Sequence, residues 1–173
     1  DIKNRFEIGI IGYGKENNVQ SGWEGALLNK WVVSIKNIFE YPLKEEDDKP
    51  VWITPLASGS TPMKKAFENA KRLCQDWINW GNHRECHPPI IINITDGEAT
   101  DGGNNYQSLI NEVNELKQLR TNYGLVNVLN IHISEKISDR VLFPNEVDNL
   151  NNKFSRLLFD MSTPLNENMV RIA

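Results

Sequence analysis

PPIIINITDGEATDGGNN, residues 88–105, holds both a strand and a site. Two prolines lead into Ile90-Ile-Ile-Asn-Ile-Thr95, a continuous apolar run of the kind a central parallel strand needs, because such a strand is covered on both faces. The run ends in a long polar turn rich in Gly, Asp and Asn. Upstream of it, VWITPLASGST at 51–61 precedes Pro62. Thr61 there predicts a hydroxyl N-cap, with proline at the first helical position. The helix that follows repeats apolar residues at Met63, Ala66, Phe67, Ala70, Leu73 and Cys74, one stripe of period 3.6, and runs to about Trp80 before Gly81 and Asn82 stop it. Downstream, Tyr106, Leu109, Ile110, Val113, Leu116 and Leu119 mark a second amphipathic helix that ends near Gly124. VNVLNIHIS, 126–134, reads as a further strand, followed by a helix near 146–158 and a C-terminal surface segment, FDMSTPL.

The N-terminal third is less regular. RFEIGIIGY, 5–13, predicts a buried strand entering a Gly-rich turn. Trp23, Leu27, Leu28 and Trp31 are candidates for a core, WVVSIKNIF for a short strand, and KEEDDK at 44–49 for a solvated surface loop. Strand, helix, strand, helix, strand in this order predicts an α/β layered fold with a largely parallel sheet.

The chain has 173 residues, 39% of them hydrophobic and 24% charged, which is enough for one domain with its own core and unlike a disordered chain. Its net charge of −4 gives no electrostatic reason to expect nucleic acid, and no apolar run approaches the roughly 20 residues needed to span a bilayer. No signal peptide is visible. Two cysteines, Cys74 and Cys86, fit reduced thiols and a cytoplasmic location. The chain opens at Asp1 without a methionine, so a piece of a longer protein is the expectation.

Ligands bind at the carboxyl ends of the strands in such sheets. Two polar loops converge there, and they bring Ser58, Ser60, Thr61, Thr95, Asp96, Glu98, Thr100 and Asp101. All are hard oxygen donors, which suit an octahedral Mg²⁺ or Mn²⁺. His83, Cys86 and His87 have zinc-ligand types but lack a structural zinc spacing, so a polar loop is expected there. His132, in an alternating strand, reads as a hydrogen-bonded sheet histidine. No GxSxG elbow, Walker A sequence or Rossmann glycine pattern occurs.

GSTP before a helix, then an apolar strand ending in TDGE, resembles the second and third metal loops of a von Willebrand factor A-type domain. The resemblance covers nearly the whole chain as one domain, 1–173. It implies a Rossmann-like three-layer fold, with a mostly parallel sheet flanked by helices. It also implies a metal-ion-dependent adhesion site in which Thr61 supplies the second-loop ligand and Asp96 the third-loop ligand. The metal would be Mg²⁺, or Mn²⁺ or Ca²⁺, and a partner's Asp or Glu would complete its shell. The family's first loop, DxSxS, does not occur here; the nearest likeness, Asp160-Met-Ser-Thr-Pro164, lies near the wrong end. The family's first strand and helix would therefore lie upstream of Asp1. TPM, PPIIINITDGEATDG and NIHIS are most similar to bacterial cytoplasmic members, some encoded beside tellurite-resistance-type, kinase or phosphatase partners. The function this implies is a non-enzymatic protein-interaction module, with no nucleic acid or membrane among its partners. One alternative is a metal-free scaffold of the same fold that binds through surface patches such as exposed tryptophans. Another is an enzyme, since Asp96-Gly-Glu-Ala-Thr100 faintly resembles the loop of aspartate-nucleophile phosphatases.

Overall fold

The computed structural model describes residues 2–56, 58–96, 98–134 and 141–165. The chain is of mixed α/β type. Its centre is a parallel pair, β7 (Ile90–Thr95) and β10 (Asn127–His132), in register from Ile90 beside Asn127 to Thr95 beside His132. The crossover between them carries α3 (Gln107–Gln118). Before β7 runs α2 (Met63–Asn79), and after β10 comes α4 (Lys153–Met161). The three helices share one core: Phe67, Leu109, Val113, Val128, Leu158 and Met161 are buried together. Helices α2 and α3 are further tied by Lys71, whose Nζ lies 2.7 Å from both Glu112 and Glu115.

The N-terminal third folds as antiparallel pairs. β1 (Glu7–Gly9) pairs with β4 (Val32–Ser34), and β2 (Ile11–Lys15) pairs with β3 (Asn18–Ser21). The predicted strand at 5–13 is thus broken at Ile10, whose carbonyl accepts from Gly22 N at 2.8 Å. WVVSIKNIF is only half strand: Ser34 accepts from Asn37 N and starts a short helix, α1 (Ile35–Glu40). KEEDDK is a hairpin, β5 (Lys44–Glu46) and β6 (Lys49–Val51), with Asp47 and Asp48 at φ 48 and 59. Those left-handed conformations give the tight turn its hand. Trp23, Leu27, Val33 and Ile38 form a second small core, and Trp52 Nε1 donates to Ile38 O at 2.6 Å. A last short pair, β8 (Arg120–Thr121) and β9 (Gly124–Leu125), closes the turn after α3.

Three further expectations change. The sheet is not mostly parallel among the described residues: β7 with β10 is the one parallel pair, and the other four are antiparallel. FDMSTPL is not a loose surface segment: Met161 is fully buried, and Thr163 clamps the outer edge of β10, donating from N to Val128 O (2.7 Å) and accepting from Val128 N at Oγ1 (3.0 Å). The Ile90–Thr95 run is not covered on both faces. Ile91, Asn93 and Thr95 turn towards the helices, while Ile90, Ile92 and Ile94 are 55–58% exposed, with Ile131 and Ile133 beside them at 48% and 55%. Among the described residues no helix is long and apolar enough to cross a membrane.

Candidate metal centre

At the carboxyl end of β7 a cleft of about 610 Å³ opens between β7 and β2. Ser58, Ser60, Thr61, Thr95 and Asp96 all line it, so the two loops singled out in the sequence do converge. The Ser58–Thr61 loop is pinned on both sides. Towards β2, Ser58 N donates to Gly14 O (3.2 Å), Glu16 N donates to Ser58 O (3.0 Å), and Ser60 N donates to Asn17 Oδ1 (2.6 Å). Gly59 sits at φ +93, and a Cβ there would stand 2.7 Å from Asn17 Oδ1, so the close approach needs glycine. Towards the β7 loop, Thr61 N donates to Thr100 Oγ1 (3.1 Å), and Thr100 N donates to Thr61 O (3.0 Å).

Thr61 is not the helix cap. Pro62 occupies that position and makes no side-chain cap bond. The carboxylate of Asp101 does the work from the β7 loop: Oδ1 accepts from Lys64 N and Oδ2 from Lys65 N, both at 2.9 Å. This neutralises two orphan donors and places a negative charge at the positive end of α2. Thr61 is therefore not engaged in capping; it lines the cleft, as does the exposed Asp96. Glu98 is bound elsewhere, to the Tyr106 hydroxyl and, at 3.5 Å, to Lys153. The Tyr106 bond holds the Glu98 carboxyl below its ordinary range, and the same bond pushes the Tyr106 hydroxyl up to about 12.

Sequence reasoning missed Tyr13. Its hydroxyl crosses the cleft to Asn93 Oδ1 (2.6 Å) and to Ile94 O (3.4 Å). Burial raises its pKa, a hydrogen bond with Thr95 works against that rise, and the Asp96 charge adds to it. From Asn93 the polar contacts continue through the sheet: Asn93 Nδ2 donates to Asn130 Oδ1 (2.9 Å), and Asn130 Nδ2 donates to Leu158 O (3.1 Å) and Ser162 Oγ (3.0 Å). An aromatic hydroxyl at the end of a strand is the only signal for Tyr13, and it does not say what lies opposite.

Hydroxyls of Ser60 and Thr61 with the Asp96 carboxylate make an oxygen-only donor set, the chemistry a hard divalent cation takes. Among the described residues no group of three or more His, Cys, Asp or Glu side chains converges. The His83 region is a packed turn: its ring stacks on Trp77 at 4.2 Å, and its Nδ1 lies 2.8 Å from Trp77 O. Cys86 is exposed and Cys74 buried. His132 Nδ1 lies 2.9 Å from Ser155 Oγ, as a hydrogen-bonded sheet histidine should. Comparisons of the chain with protein-family models, with curated proteins and with solved structures return no match.

Proposed function

We propose that the protein is a non-enzymatic interaction module of the von Willebrand factor A type, which binds a cytoplasmic protein partner through a divalent cation. The observation that carries this reading is the convergence of Thr61 and Asp96, from separate loops, on one mouth of the cleft. A cation there, Mg²⁺ or else Mn²⁺ or Ca²⁺, would take Thr61 Oγ1 directly. Asp96, exposed and free to orient, would hold a water of the shell or bind outright. Open positions on such an ion favour an Asp or Glu side chain of a partner. Further oxygen donors of DxSxS type, supplied from outside residues 1–173, would complete the shell.

The test uses the metal alone. Mn²⁺ is titrated into the protein, and paramagnetic broadening of backbone amides is followed by NMR. Broadening centred on Thr61 and Asp96, lost in Asp96→Ala and weakened in Thr61→Ala, supports the reading. Broadening that centres on the acidic hairpin at 44–49 and ignores both substitutions sinks it.

A further inference from the structure

The Ser58–Thr61 loop lies outside the helices and strands, so whatever fixes Thr61 must reach it from neighbouring elements. One neighbour is the tip of the β2–β3 hairpin. Its two turn residues, Glu16 and Asn17, take left-handed φ values of 51 and 62, the conformations of a two-residue hairpin turn. Just before the turn, β2 shifts register between Tyr13 and Lys15, and Gly14 stands as the extra residue at φ +116. Its carbonyl serves the loop: it accepts from Ser58 N, and Ser58 O in turn accepts from Glu16 N. Main-chain bonds thus tie the hairpin to the loop as far as Ser58. Beyond that point the tie passes to a side chain. Asn17 Oδ1 reaches over Gly59, which has no Cβ to keep it away, and accepts from Ser60 N at 2.6 Å.

The turn by itself does not select Asn17. The second of two left-handed turn positions favours glycine, which takes that conformation without a Cβ penalty. The side chain that stands there instead bonds a residue 43 positions away. On the far side of the loop, Thr61 N donates to Thr100 Oγ1, and Thr61 O accepts from Thr100 N. The peptide planes before Ser60, before Thr61 and after Thr61 are therefore all held, the first by Asn17 and the others by Thr100. Together they set the direction in which Thr61 Cβ leaves the main chain.

We propose that Asn17 is a positioning residue for the candidate metal centre. Through Ser60 N it sets the Thr61 loop before any ion arrives. The β2–β3 hairpin, itself outside the donor set, then governs how tightly the ion is held. The effect on the ion rests on the reading of Thr61 as a ligand, whereas the positioning is measurable without metal.

Two variants separate the acceptor from the turn. Asn17→Gly removes the carboxamide and keeps the turn, because glycine adopts left-handed φ freely. Asn17→Asp keeps an oxygen at the same place and also tolerates that conformation. Amide hydrogen exchange is measured first, on metal-free protein. Asn17→Gly should speed exchange at Ser60 and, by loosening the loop, at Thr61 and Thr100 as well, while Asn17→Asp keeps wild-type rates at all three. Mn²⁺ is then titrated in about 1 M salt, where the Debye length is about 3 Å and the added aspartate charge is screened. Asn17→Gly should weaken the ion about three- to tenfold, the worth of one hydrogen bond, because the loop spends less time in place. Asn17→Asp should restore wild-type affinity. Faster exchange confined to Ser60 overturns the proposal, since the bond is then purely local. Equal loosening in both variants overturns it too, because the turn and not the acceptor would be responsible. Unchanged Mn²⁺ affinity in Asn17→Gly has the same force. A wild-type protein that takes no Mn²⁺ at Thr61 and Asp96 sinks the metal reading and with it the control of affinity, while the metal-free exchange still decides whether Asn17 places Thr61.

Discussion

Asp101 caps α2 from 36 and 37 residues further along the chain, and its two oxygens serve two successive amides. This separates the two roles the sequence offers for Thr61, helix cap and metal ligand. Asp101→Ala should lower stability by about 1 kcal/mol, the ordinary worth of a cap, whereas Thr61→Ala should change it by less than about 0.5 kcal/mol. Thermal denaturation of the two variants measures both. The thiols offer a second contrast. Cys74 is buried, and burial pushes its pKa up from an ordinary 9.0 to about 12, while Cys86 lies exposed. A thiol reagent at pH 8 should modify one cysteine promptly and the other only on unfolding. Above pH 9 the unfolded chain sheds a proton that the folded chain keeps, so the Cys74 contribution to stability falls as pH rises from 9 to about 12. Replacing Cys74 with Ala should flatten that part of the stability–pH profile.

Periodicity is reliable where it reports one element against one core. α2, α3, β7 and β10 were legible because each carries an apolar pattern long enough to identify its period. α1, with six residues, is shorter than two turns and showed no period, and its start depends on the Ser34 cap. The run Ile90–Thr95 was misread on one point. A continuous apolar strand implies burial on both faces, yet here a single face is covered. That difference predicts unequal costs along one sheet. Leu109→Ala, at a fully buried site on α3, should cost about 2–5 kcal/mol, whereas Ile92→Thr, 58% exposed, should cost under about 0.5 kcal/mol. Urea denaturation of both variants checks this. Asp101 and Tyr13 were illegible for a different reason. Their roles arise from residues dozens of positions away, and no local pattern encodes such a meeting.

For the molecule as a whole, metal and stability should be uncoupled. Two or three oxygens from two loops hold a hard cation weakly, and a weakly held ligand shifts unfolding little. Millimolar Mg²⁺ or an excess of EDTA should therefore move the melting temperature of the protein by less than about 1 °C. A rise of several degrees, abolished in Asp96→Ala, would mean that the cleft already holds a nearly complete shell.

The chain of amides and hydroxyls from Tyr13 through Asn93 and Asn130 to Ser162 joins the open cleft to the far end of α4. Each amide in it accepts at its oxygen and donates at its nitrogen. Turning the Tyr13 ring out of the cleft would leave Asn93 Oδ1 without the hydroxyl donor it has at 2.6 Å. The last partner in that sequence is the carbonyl of Leu158, inside α4. A continuous run of hydrogen-bonded side chains thus connects the cleft with the opposite flank of the sheet, where α4 is seated.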